Sequence, residues 1–79
     1  MIRKEVFKFA EAMEEKLKVN EHKGHWKDCE TAYLVDKLLE ELSEFHRAIL
    51  KGDEKAMRSE GADIANITMM IIDNYKALE

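Results

Sequence analysis

Glu40-Glu41-Leu42-Ser43-Glu44, then Lys51-Gly52-Asp53, then Glu60-Gly61-Ala62-Asp63: the stretch from 40 to 63 decides how the rest of the chain is read. Lys51-Gly52-Asp53 is a turn signal between two segments with helical periodicity. Glu44 lies eight residues before Gly52 and Glu60 eight after it; Glu41 lies eleven before and Asp63 eleven after. The spacing predicts an antiparallel helical hairpin in which Glu44 faces Glu60 and Glu41 faces Asp63. Within each helix the acids are three apart, on one face and about 4.5 Å apart along the axis. Packed helices lie roughly 8–10 Å apart, a gap that carboxylate side chains can reach across. Four carboxylates so placed repel and raise one another's pKa unless a cation intervenes. Mg²⁺, with Mn²⁺ as the alternative, suits an all-oxygen donor set and leaves room for phosphates. The competing reading is an ordinary solvated acidic face.

Outward from the turn, Val35, Leu38, Leu42, Phe45 and Ile49 recur three and four apart and predict a helix over 31–50 with an a/d-like seam. At about 100° per residue, the acids edge that seam rather than lie within it. Asp28 or Thr31 is placed to cap this helix, and Lys37 to pair with Glu41 at i+4 or to bind phosphate. The pattern after the turn predicts a third helix over 54–78. From Ile64 to Ile72 it is apolar nearly all round, which calls for burial on every side and hence for self-association into a homo-oligomer, dimer or tetramer. Gly61, costly inside a helix, suggests close approach of a backbone or a ligand. Ile2, Val6, Phe9, Met13 and Leu17 form the apolar stripe of a first helix over 2–19, where no catalytic constellation is visible.

The loop over 20–30 holds His22, His25 and Cys29, three soft ligands where structural zinc usually takes four. Trp26 offers either a hydrophobic plug or a flat face for a nucleobase. Lys23 and Lys27 beside it could meet phosphate oxygens as mobile point charges.

Composition narrows the function classes. The 79 residues suffice for one domain spanning 1–79 with a marginal core. The class is all-α, since proline is absent and glycine scarce. A net charge of −4 argues against a dedicated nucleic-acid binder. No apolar run approaches the ~20 residues that span a bilayer, so no membrane partner is expected. The single cysteine excludes an internal disulfide and fits a reducing cytoplasm.

The motif Glu40-Glu41-Leu42-Ser43-Glu44, followed after fifteen residues by Glu60-Gly61-Ala62-Asp63, resembles the EExxE…ExxD signature of the MazG-like all-α nucleoside triphosphate pyrophosphohydrolases. The continuation from Ile64 to Asn74 and the earlier Lys23-Gly24-His25-Trp26 also resemble small members of that family. The resemblance spans roughly residues 5 to 75. It implies a three-helix unit assembling into a multi-subunit bundle, and Mg²⁺-dependent conversion of a ribo- or deoxyribonucleoside triphosphate and water to the monophosphate and pyrophosphate, with nucleotide-pool house-cleaning as a role. Carried over position by position, it makes Glu41, Glu44, Glu60 and Asp63 the metal ligands. It favours Trp26 near the base and gives Asn66 and Asn74 to the nucleotide, against the alternative of helix-to-helix hydrogen bonding. Glu40 is then an outer partner of the ligands or a water-orienting base, a role that Glu44 could take instead. The rival from another class is a non-catalytic helical interaction module. A di-iron bundle is disfavoured because Arg47 follows Glu44, and Asp63 follows Glu60, where that architecture needs histidines.

Overall fold

A computed structural model describes residues 1–79 and contains three helices and no strand. These are α1 (Lys4–Val19), α2 (Thr31–Lys51) and α3 (Glu54–Asn74). Two single turns of tighter helix, Glu21–Lys23 and Trp26–Asp28, break the connection between α1 and α2. No helix is long and apolar enough to cross a membrane.

The hairpin turn is built as its sequence implies. Gly52 takes the left-handed conformation (φ 66°) that a side chain resists. Its N–H donates to the Ile49 carbonyl at 3.1 Å, and the Asp53 N–H donates to the Ala48 carbonyl at 3.0 Å. Together they close α2 in a Schellman arrangement. The Asp53 carboxylate then accepts from the Ala56 N–H at 3.0 Å and caps α3. Asn20 ends α1, its side-chain amide donating back to the Lys16 carbonyl at 3.0 Å.

Other termini differ from the expected ones. α1 begins at Lys4 because Arg3 is extended, and no side chain caps it. Neither Asp28 nor Thr31 caps α2; Glu30 holds that position without a side-chain hydrogen bond, and Thr31 Oγ1 instead donates to the Tyr75 hydroxyl at 3.4 Å. α3 stops four residues short of 78. Lys76 adopts φ 60°, and the Ala77 N–H turns back to the Ile72 carbonyl at 3.0 Å. A lysine in the left-handed region leaves no stop signal in the sequence, unlike a glycine.

α3 is the shared partner. It packs on both α1 and α2, which do not pack on each other. The buried apolar residues are mostly small: Ala12, Ala48 and Ala62, with Leu34 and Ile67. Small side chains let helix axes approach, and this sets the rotation of α2. Its inward face runs through Leu34, Glu41, Phe45 and Ala48, turned by about 60° from the leucine-rich seam. Glu41 therefore lies within the α2–α3 contact rather than at its edge, and of the seam only Leu38 and Phe45 are half-buried. Val35, Leu39, Leu42, Ile49 and Leu50 are all exposed, Leu50 by 73%. α3 is not covered on every side either; Thr68 and Ile72 face out.

Gly61 faces aromatic rings, not backbone. A β-carbon added there would lie 3.6 Å from Phe45 Cε1 and 3.8 Å from Phe9 Cε1, ordinary contact distances. Gly61→Ala is therefore expected to raise stability by up to about 1 kcal/mol through helix propensity alone. Thermal or urea unfolding measures this, and a loss of stability would show that the site tolerates no added methyl.

Candidate metal and nucleotide site

Glu41 on α2 and Glu60 and Asp63 on α3 each bring a carboxylate oxygen within 4.8 Å of the others. All three are half-buried. One Glu60 oxygen, Oε2, is buried without a hydrogen-bond partner. The Glu60 carboxylate lies against that of Glu41 in the same half-buried space. Hydrogen bonding toward Glu60, then burial, then the Glu60 charge push the Glu41 carboxyl up to about 7, against the pull of Lys37 and Lys16. Burial also raises the Asp63 carboxyl, opposed chiefly by Lys16 and reinforced by Glu41.

Glu44 is not in this group. Its carboxylate pairs with Arg47 at 2.6 Å, half-exposed on the flank of α2. The hairpin thus sets Glu41, rather than Glu44, against Glu60, because the small-residue face of α2 turns Glu41 to the centre of the contact. Glu40 is exposed and paired with Lys37 at 3.4 Å. Lys37 therefore takes its i+3 neighbour and not Glu41.

Beside the trio lies a cleft of about 780 Å³. α3 forms its floor with Asp63, Asn66, Ile67 and Met70; α1 and α2 wall it with Lys16, Leu17, Leu34 and Lys37. The loop closes one end with Lys23, Gly24, His25 and Trp26. Trp26 is held in place: its indole N–H donates to Asp73 Oδ2 at 2.9 Å, and its carbonyl accepts from the Asn74 amide at 3.1 Å. His25 stacks on it with ring centroids 4.2 Å apart. Lys23, Trp26 and Asn66 thus reach the cleft. Lys27 and Asn74 lie outside it, lining a smaller hollow behind the loop. Asn66 is 4% exposed and ties α3 to α1 by donating to the Met13 carbonyl at 3.0 Å, while its oxygen is buried without a partner.

Two residues that sequence reasoning passed over prove central. Lys16 places its ammonium 3.4 Å from Asp63 and 3.1 Å from the Ser59 hydroxyl. Its signal is a charge interrupting the apolar stripe between Met13 and Leu17. Asp73 anchors Trp26 from 47 positions away, a distance that no local pattern reports.

The donor set fits a hard divalent cation. It is all oxygen, partly buried, and includes an unpartnered carboxylate oxygen that a cation would satisfy. His22, His25 and Cys29 form no such group; the three carboxylates are the only such set that converges.

The trio's protonation makes a pH prediction. A carboxyl raised in the folded state stabilises the protein less as pH climbs from its unfolded value through its folded one. For Glu41 that window runs from 4.5 to about 7. Metal-free protein should therefore melt at lower temperature at about pH 8 than at about pH 5. Mg²⁺ should restore the loss at the higher pH, and Glu41→Gln should flatten the profile. A metal-free melting temperature that rises across the same window would contradict the raised Glu41 carboxyl.

A family model described as phosphoribosyl-ATP pyrophosphohydrolase matches residues 6–75. No curated protein and no solved structure matches the chain. The match covers α2, α3 and all but the first two residues of α1, in keeping with the resemblance carried by Glu40–Glu44 and Glu60–Asp63. The chain belongs to the phosphoribosyl-ATP pyrophosphohydrolase family, within the MazG-like all-α pyrophosphohydrolase superfamily.

Proposed function

We propose that the chain, as one domain, is a divalent-metal-dependent pyrophosphohydrolase that converts a ribo- or deoxyribonucleoside triphosphate and water to the monophosphate and pyrophosphate. The observation that carries this reading is the convergence of Glu41, Glu60 and Asp63 beside a cleft that also holds lysines and a tryptophan. The family is typically divalent-metal dependent. Mg²⁺ is the first choice and Mn²⁺ the second, both being oxygen-seeking.

Glu41, Glu60 and Asp63 would hold the cation, and Glu41 would release its proton as the cation arrives. Bound there, the cation supplies neutralisation of phosphate charge and Lewis acidity toward water and the phosphoryl oxygens. Glu44 lies one turn along α2 from Glu41 and becomes a fourth ligand or the general base once its Arg47 pair opens. Glu40, freed from Lys37, is the other candidate for orienting water. Lys23 is placed to meet phosphate oxygens at the mouth of the cleft. Trp26, fixed by Asp73, presents an aromatic surface for the base. The buried, unpartnered oxygen of Asn66 is an acceptor for a nucleotide amine or hydroxyl. Lys27 and Asn74 would serve indirectly, by holding the loop that carries Trp26.

The family's description favours a second substrate reading, phosphoribosyl-ATP. The bond broken is the same anhydride, between the α and β phosphates. The two readings differ at the base end of the cleft, where that substrate carries an additional ribose phosphate.

Pyrophosphate release with Mg²⁺ across ribo- and deoxyribonucleoside triphosphates and phosphoribosyl-ATP separates them. Glu41→Gln should lower the rate by at least about 100-fold, since even outer partners of metal ligands cost 10–100-fold. No release from the unmodified, folded protein on any substrate would favour a non-catalytic helical module.

The exposed seam of α2 is, on this reading, the face that a second copy of the chain covers. Light scattering should give a dimer or larger assembly, and Leu39→Glu with Leu42→Glu should dissociate it. A monomeric unmodified protein would refute the homo-oligomer.

A further inference from the structure

The acidic trio has one internal cation in contact with it, and its placement is unusual. Lys16 projects from the inward face of α1, one turn after buried Ala12 and between half-buried Met13 and Leu17. Such a position ordinarily takes an apolar residue, and a partly buried ion pair is weak evidence for stability. Nor is Lys16 needed to fasten α1. Asn66 already binds the Met13 carbonyl, and Arg58 already pairs with Glu15 at 2.8 Å. Its ammonium touches Asp63 and Ser59, which together occupy at most two of its three donors. The same side chain lines the cleft. Of the other cleft lysines, Lys37 is committed to Glu40, and Lys23 is exposed on the loop.

We propose that Lys16 is an exchangeable counter-ion. In the metal-free protein it neutralises Asp63 and holds that carboxylate toward Glu41 and Glu60. When a divalent cation takes Asp63, Lys16 swings to the phosphate chain of the substrate and becomes a phosphate-binding residue. The proposal rests on the metal-carboxylate reading above. A lysine suits the task because its charge is compact and its stem flexible, whereas a guanidinium would hold the carboxylate in a fixed fork. The pair's 3.4 Å separation and partial exposure leave room for the exchange.

The exchange has a signature that a simple structural bridge lacks: two affinities moving in opposite directions. Lys16→Met keeps the length of the stem and removes the charge. Mn²⁺ alone, titrated by the electron paramagnetic resonance of the free ion, should bind this variant more tightly by about five-fold, the worth of losing a competing pair of roughly 1 kcal/mol. Inorganic tripolyphosphate, titrated in saturating Mn²⁺, should bind more weakly by about ten-fold, as expected for losing a charged hydrogen bond. Lys16→Arg should return Mn²⁺ affinity toward that of the unmodified protein. If both affinities fall together, or neither moves, Lys16 is a static tie and the proposal is overturned. If the unmodified protein binds no Mn²⁺, the metal reading fails, and the exchange with it. Should Lys16→Met not fold, the Lys16 Nζ resonance in unmodified protein gives the answer. It should shift on Mg²⁺ and again on tripolyphosphate, and a resonance unmoved by either refutes the exchange.

Discussion

Glu41 and Glu60 meet where two packed helices would ordinarily bury apolar side chains. Their proximity and partial burial push the Glu41 carboxyl up to about 7, above the range of exposed acids. The rest of the architecture accommodates that constraint. Alanines at the helix contacts draw α2 and α3 close enough for the acids to meet. Glycine and aspartate at the turn fix the register, and a lysine from α1 supplies countercharge. The hairpin is thus strained electrostatically rather than sterically, and a divalent cation is the simplest species that relieves it.

The same close packing explains the bareness of the outer surface. A helix has one face to give to a neighbour, and α2 gives its alanine-and-acid face to α3. Leu39, Leu42 and Leu50 are left over, as are Val6 and Phe7 on α1 and Ile2 just before it. Only six side chains are buried in the whole chain, too few for a self-sufficient core of ordinary density. The apolar residues that would normally make the inside of a small bundle are here arranged for an outside contact.

The helices, the turn and its caps were legible in sequence because each is local. Gly52 and Asp53 act within a few residues of themselves, and apolar spacing marks the helices, though not the start of α2, where Glu30 takes the place expected of Asp28 or Thr31. The clustering of Glu41, Glu60 and Asp63 was legible for a related reason: symmetry about a turn is a one-dimensional property. What failed was rotation. Periodicity gave the leucine seam to the core, since a pattern reports which face is most apolar but not which face packs closest. That misreading placed Glu41 at the edge of the contact, while equal spacing about Gly52 set Glu44 opposite Glu60, where the helix rotation brings Glu41 instead. Asp73 and Lys16 lay beyond reach for a different reason, since each acts on a residue more than forty positions away. The left-handed Lys76 ended α3 where no glycine announced it.

Because α1 and α2 touch only α3, the chain divides into two pieces of unequal independence. The α2–α3 hairpin closes over a short loop and carries the whole acidic trio. α1 must return across some forty residues to reach its place beside Ser59 and Asn66. Docking it costs the closure entropy of that long separation, which the hairpin avoids. Undocking of α1 would therefore remove one wall of the cleft together with Lys16, leaving three carboxylates on the hairpin without their countercharge.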